Sequence, residues 1–227
     1  RGLIWPNQAS GLEMSGSRVY RGGMFVLTVD QRASTRRGDL VPELLDRLAP
    51  YEERTGVVIA FDRTVGDEVQ AVLDDAALVV EVALALGRWG GWSTGLGIGQ
   101  VLPGPDGRLP RVSREASGSA FVHARAAVER AKTRGNPVPL AVEGPDPAAA
   151  GEVEALLRLL LAVGARRTPA GWEAVDALAR VGGTQKDVAR DLGISEQAVS
   201  QRLRASLWSE EAAVRPVVTR LLQEADA

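Results

Sequence analysis

An α+β fold followed by an all-α domain is what this sequence predicts, and three observations predict it. Short apolar, β-branched runs alternate with helical spacing as far as residue 142. Beyond residue 150 only helical spacing remains. Between them, EGPDPAAAG (143–151) reads as a linker by its Pro, Gly and Ala content. The expected domains are therefore 24–143 and 151–227, joined through 144–150.

The elements of the first domain follow in order. FVLTV (25–29) is a strand. Leu40, Leu44, Leu45 and Leu48 recur at helical spacing, with Pro42 tolerable in a first turn. VVIAF (57–61) and VQAVL (69–73) are strands whose short polar connection, 62–68, predicts a hairpin. Residues 76–86 form an almost wholly apolar helix, which implies burial against a sheet. STGLGIGQV (93–101) is a strand in which the glycines allow close approach of another backbone, a reading that competes with phosphate binding. A Pro/Gly loop at 103–110, an Ala-rich helix at 120–132 and a strand VPLAV (138–142) complete the domain. The order β-α-β-β-α-β-α-β contains the split unit of ferredoxin-like sandwiches. In the second half, helices are expected at 151–164, 170–180, 184–192, 195–206 and 210–225.

Composition bounds the function. Hydrophobic residues make up 45% and charged residues 25% of 227, which predicts a packed core rather than disorder. The absence of Cys excludes disulfides, thiolate metal sites and Cys nucleophiles, and the single His excludes a His-rich metal site within one chain. A net charge of −2 means that any nucleic-acid binding has to come from a local patch. No apolar run is long enough to span a membrane, and a cytoplasmic protein is expected. Residues 1–23 lack both a period and the apolar stretch of a signal peptide; they read as a tag or as a disordered arm, with Met24 opening the first strand.

The most specific motif is TQKDVARDLGISEQAVSQRLRAS (184–206). Thr184 is an N-cap, and Val188, Ala189 and Leu192 make one apolar face. Gly193 allows the left-handed turn, Ile194 plugs the corner and Ser195 caps the second helix. Val199 and Leu203 face inward. Glu196, Gln197, Ser200, Gln201 and Arg204 face outward, with side chains that can read base edges. Arg166, Arg167, Lys186, Arg190, Ser195 and Arg202 are candidate phosphate contacts. Between 158 and 208 eight Arg/Lys stand against five Asp/Glu, an excess of the right sign for phosphate. The segment resembles the helix-turn-helix of sigma-factor region 4 and of response regulators. The alternative is an ordinary helical hairpin that docks on protein. Trp172 and Trp208, flanking the motif, read as core residues of the helical domain.

In the first domain, Asp30 ends a strand, and Asp67 with Glu68 lies in the hairpin FDRTVGDEVQAVL (61–73). A split β-α-β-β unit brings these together, and paired carboxylates are what Mg²⁺ takes beside nucleotide phosphates. The competing readings are a turn Asp bonded to its own backbone and a solvent-facing Glu68. Ser34, Thr35, Arg36, Arg37 and Gly38 could wrap a phosphate, or form a solvated basic loop.

In layout these segments, with SGSAFVHARAAVERAK (117–132), resemble the nucleotide cyclase and GGDEF superfamily. The resemblance implies that Asp30 and Asp67 are metal ligands, that Arg63 stands for the base-selecting Lys, and that Arg36, Arg37 and Arg125 are candidate nucleotide contacts. A closer resemblance is to the SatD family. It rests on Gly66-Asp67-Glu68-Val69-Gln70, on Gly95-Leu96-Gly97-Ile98-Gly99, and on Gly118 to Arg125, and covers most of 24–142. Actinobacterial members add a C-terminal helix-turn-helix. Where the cyclase pattern has an Asn and an Arg for the transition state, this chain has Val122 and Ala126, which cannot donate to developing charge. No catalytic residue is assigned. The expected function is therefore duplex-DNA binding by a homodimeric transcriptional regulator, whose cyclase-like domain senses a nucleotide or other ligand or holds the dimer. The alternatives are a divergent Mg²⁺-dependent cyclase or phosphotransferase, and a module that docks on the transcription machinery.

Overall fold

The structure, a computed structural model, describes residues 23–133 and 135–225; the segment read as a tag or arm lies almost wholly outside them. The chain is α+β. Its centre is a mixed five-stranded sheet in the order β2-β3-β1-β4-β5, formed by β1 (Met24–Gln31), β2 (Val57–Arg63), β3 (Glu68–Leu73), β4 (Trp92–Gly99) and β5 (Leu140–Glu143). β1 pairs antiparallel with β3 and β4, β2 pairs antiparallel with β3, and β5 runs parallel to β4. The hairpin expected at 62–68 joins β2 to β3.

β1 is the middle strand and is buried on both faces, which is why MFVLTV is a continuous apolar run rather than an alternating one. Phe25, Leu27 and Val29 point into the larger core, with α2 (Val41–Glu52), α3 (Ala76–Trp89) and α5 (Pro147–Ala165). Met24 and Val26 point to the opposite face, towards Ala120 and Ala124 of α4 (Ser119–Ala131). A one-turn helix, α1 (Ser34–Arg37), precedes α2. The apolar 76–86 segment is the buried part of α3, opened by Asp75, whose carboxylate accepts from the Ala77 and Leu78 amides.

The glycines of β4 answer the question left open by the sequence. A Cβ at Gly97 would stand 2.1 Å from the Ala120 carbonyl oxygen and 2.2 Å from the Ala124 nitrogen; one at Gly95 would stand 2.3 Å from the Val128 nitrogen. α4 therefore lies directly on the β4 backbone, and Gly is required for packing. The outer edge of the sheet, β5, is closed by side chains: Glu154 accepts from the Val142 N–H (2.9 Å) and Arg130 donates to the Val142 carbonyl (2.9 Å).

The expected domain boundary is not where the core divides. Residues 144–150 are no linker: Asp146 caps α5, Pro147 opens it and Ala150 is buried in the sheet's core. At the far end of the chain, α9 (Trp208–Glu224) returns to place Val218, Leu222 and Ala225 in that same core. Only α6 (Pro169–Val181), α7 (Gln185–Leu192) and α8 (Glu196–Ala205) pack as a separate cluster, around Ala174, Val175, Val188, Val199 and Leu203. The composition shift at 143–151 marks a change of secondary structure, which a sequence reading cannot tell from a change of domain.

Gly97→Ala should lower unfolding free energy by about 3 kcal/mol or more, because the clash is with backbone that cannot rotate away. Gly151, on the open side of α5, has nothing within 4 Å of its missing Cβ. Gly151→Ala should add about 0.5–1 kcal/mol by helix propensity. Urea unfolding of the two variants checks both signs.

Candidate nucleic-acid interface and the acidic corner of the sheet

α7 starts with a reciprocal cap. Asp187 N–H donates to the Thr184 hydroxyl, and the Thr184 N–H donates to the Asp187 carboxylate at 3.0 Å. These hydrogen bonds, from the Thr184 backbone first and its hydroxyl second, hold the Asp187 pKa below its ordinary value. The helix ends at Gly193, in the left-handed conformation at φ 65°. Ser195 Oγ then accepts from the Ala198 N–H (3.2 Å), opening α8. Val199 and Leu203 are buried against α6 and α7, with Ile194 packed on the same cluster.

On α8, Glu196, Gln197, Gln201 and Arg204 are exposed and Ser200 is half-buried. At 3.6 residues per turn these five span an arc of about 140°, opposite neither end of the helix but along its solvent side. The structure thus brings all five expected base-reading residues onto one face. Four of the five acidic residues of this region are engaged by arginines: Asp187 by Arg190, Asp191 by Arg180, Glu173 by Arg202 and Asp176 by Arg88. Among the described residues Arg166, Lys186 and Arg204 have no carboxylate partner. Arg190 keeps 72% of its side chain exposed.

Two expected phosphate contacts fare differently. Arg167 is a correction: its side chain is fully buried and cannot reach a phosphate. Its Nε and Nη2 donate to the Ser206 carbonyl (3.1 and 2.8 Å), and Nη2 also binds Glu211 at 2.6 Å. Arg202 is half-buried and paired with Glu173 (2.6 Å). Ser195 Oγ accepts from Ala198 as the cap and keeps its O–H to donate to a phosphate.

The second candidate site lies at one end of the sheet. Register pairs Asp30 with Glu68, so these two carboxylates share the face covered by α4; Asp67 stays in the turn, its carbonyl accepting from the Gln31 N–H (3.3 Å). Both carboxylates are already neutralised. Lys132, the C-cap of α4, reaches Asp30 at 2.8 Å and Glu129 at 3.0 Å. Arg125, two turns earlier, reaches Glu68 at 3.3 Å, and Thr64 donates to Glu68 at 2.7 Å. Glu68 is 4% exposed, so the solvent-facing alternative is also corrected. The Mg²⁺ expectation does not fit this donor set: the oxygens face cations, and no group of three or more His, Asp or Glu with metal-binding proximity occurs among the described residues.

Burial lowers the Lys132 pKa, but its hydrogen bonds to Asp30 and Glu129 outweigh it, and the net shift is upward. Arg63 does not point to a base pocket; it pairs with Asp39, which its hydrogen bond holds below the ordinary carboxylate range. Arg36 and Arg37 are exposed on α1. His123 donates Nδ1–H to the Ile98 carbonyl (2.6 Å), a structural role. Val122, at the position of the missing Asn, is 69% exposed. The sequence reading missed Lys132. The signal was present as Arg125, Glu129 and Lys132 on one helix face at i, i+4 and i+7.

Truncating Arg167 to Met should cost about 3 kcal/mol, because Glu211 and the Ser206 carbonyl lose a buried cation; thermal unfolding measures this. The Lys132–Asp30 pair should contribute stability that is full below pH 10.5 and lost as pH rises through the elevated Lys132 pKa. Asp30→Asn should reduce that alkaline dependence, leaving the part owed to Glu129, which a pH series of denaturation midpoints reads directly. No model of a known protein family, no curated protein and no solved structure matches this chain.

Proposed function

We propose that the chain is a DNA-binding regulator that reads duplex DNA with α8. The observation behind this reading is the exposed polar face of α8, set on a small separate cluster whose core is Ala174, Val175, Val188, Val199 and Leu203. α7, the left-handed Gly193 and the Ser195 cap support a helix-turn-helix reading, in which the early residues of the second helix would enter a major groove. Gln197 and Gln201 suit adenine, and Arg204 suits guanine. Arg166, Lys186 and Arg190 supply phosphate contacts. A cytoplasmic homodimer, with two α8 helices one DNA turn apart, gives the affinity that a single reading head lacks.

The strand order β2-β3-β1-β4 supports a ferredoxin-like, cyclase-like reading of the sheet body, the one implied by the resemblance to the SatD family. In this reading the sheet body senses or dimerises and catalyses nothing. The two cations over Asp30 and Glu68 favour this over a Mg²⁺-dependent nucleotide enzyme.

Duplex fragments from the gene's own neighbourhood should bind with affinity that falls steeply as salt rises. Arg204→Ala should lose about 1–3 kcal/mol of discrimination at one base pair. Lys186→Ala should weaken all sequences alike and reduce the salt slope by about 1. Electrophoretic or anisotropy titrations at several salt concentrations separate these effects. Absence of binding at low salt, with a salt-insensitive complex on RNA polymerase, would replace DNA reading by protein docking. Mg²⁺-dependent turnover of a nucleoside triphosphate, abolished in Asp30→Ala, would replace it by enzymatic function.

A further inference from the structure

A cleft of about 140 Å³ lies where the sheet body meets the α6–α8 unit. Its walls include Tyr51, Trp89, Trp172 and Trp208, with Arg88 and Arg215 at its polar side. It spans α2, α3, α5, α6 and α9, so any occupant touches both parts of the molecule. We propose that this cleft binds a small monoanionic carboxylic acid with a single-ring apolar body. On the DNA-binding reading above, the acid would change how firmly α6 is held.

The size follows from the volume, which is on the scale of a cavity that accepts one benzene ring. The sign follows from what already occupies the aromatic faces. Arg88 and Arg167 lie over Trp172 at 3.9 and 4.4 Å, Arg215 over Trp208 at 5.5 Å, and Arg47 over Trp89 at 5.7 Å. An organic cation would find each of these three indoles already stacked by a guanidinium. Around the cleft, Arg54, Arg88, Arg167 and Arg215 are paired with only three carboxylates, Glu81, Asp176 and Glu211. Buried Arg167 keeps Nη1 without a partner. One further negative charge balances this set.

The exchangeable partner is Arg88. Its bidentate pair with Asp176 (2.6 Å to each oxygen) joins α3 to α6, yet both side chains are more than a third exposed, so water screens the pair and an incoming carboxylate can replace Asp176. The Glu211–Arg167 pair is buried, and Glu211 itself is almost wholly out of solvent, so Glu211 keeps its two arginines. Tyr51 is available as a neutral donor: burial first, and the Glu81 charge second, raise its pKa above the ordinary phenol value.

The test uses the full chain and its own tryptophan fluorescence. Benzoate, phenylacetate and cyclohexanecarboxylate are titrated beside the neutral benzamide and the cationic benzylamine. Saturable change is expected with at least one of the acids, and at least tenfold weaker binding of the neutral and cationic probes. Arg88→Met should weaken the acid at least tenfold. Ala165→Trp, at the exposed rim, should block it without removing a charge. Silence from all three acids, equal binding of benzylamine, or an unchanged Arg88→Met would overturn the site. Repeating the DNA titration with saturating acid separates the two claims. Unchanged DNA affinity overturns the coupling, whereas a wild-type chain that never binds DNA overturns the reading above and leaves the fluorescence result standing.

Discussion

Close contact between α4 and the backbone of β4 sets the geometry of one whole face of the sheet. Gly95 and Gly97 remove the side chains that would otherwise hold the helix away. Only at that height do Arg125 and Lys132 reach down to Glu68 and Asp30. The same contact puts small residues, Ala120, Ala124 and Ala127, along the underside of the helix, where larger ones would have no room. The two cations and the glycines are therefore parts of one arrangement: without close packing the carboxylates would be buried with no partner, a costly state. The corner of the sheet that resembles a metal site has an internal counterion where a metal site would have an open position.

The other face depends on α9. Its first turn packs beside α8 and its last turns lie in the core of the sheet body. Arg167 fastens the near end, holding the α8 C-cap carbonyl and Glu211 together while stacking on Trp172. Leu207, between α8 and α9, adopts a left-handed conformation at φ 51°. For a residue with a bulky side chain this is a strained position, which persists where the surroundings over-determine it. The junction thus combines the buried Arg167–Glu211 charges with the left-handed Leu207.

Much of this was legible in the sequence. Strand and helix positions followed from β-branched runs and helical spacing, and the Thr184, Gly193 and Ser195 caps followed from local chemistry alone. Caps are legible because their partners lie within three residues. The boundary at 144–150 was misread because the partners of Ala150, Val218 and Leu222 are distant in sequence. Arg167 was misread for the same reason. An arginine beside another arginine in a basic segment looks like a phosphate contact until Glu211, forty-four positions away, is found to hold it. Glu68 was anticipated as a functional carboxylate but its neutralisation was not, since Arg125 reaches it across fifty-seven positions.

On the DNA-binding reading proposed above, an acidic chain needs its charges sorted in space, and the ion pairs around α6–α8 give one such sorting. Around α6–α8, Asp187, Asp191, Glu173 and Asp176 each face an arginine, leaving Glu196 on the exposed face of α8 and Arg166, Lys186 and Arg204 to set the local field. The excess of acids that makes the whole chain −2 lies elsewhere. At physiological ionic strength a charge more than about 8 Å away is largely screened, so the distant carboxylates do not oppose the approach of a phosphate. On that reading Glu196 would act as a selective element, repelling a misplaced backbone phosphate and accepting from a cytosine amino group with the helix seated in the groove.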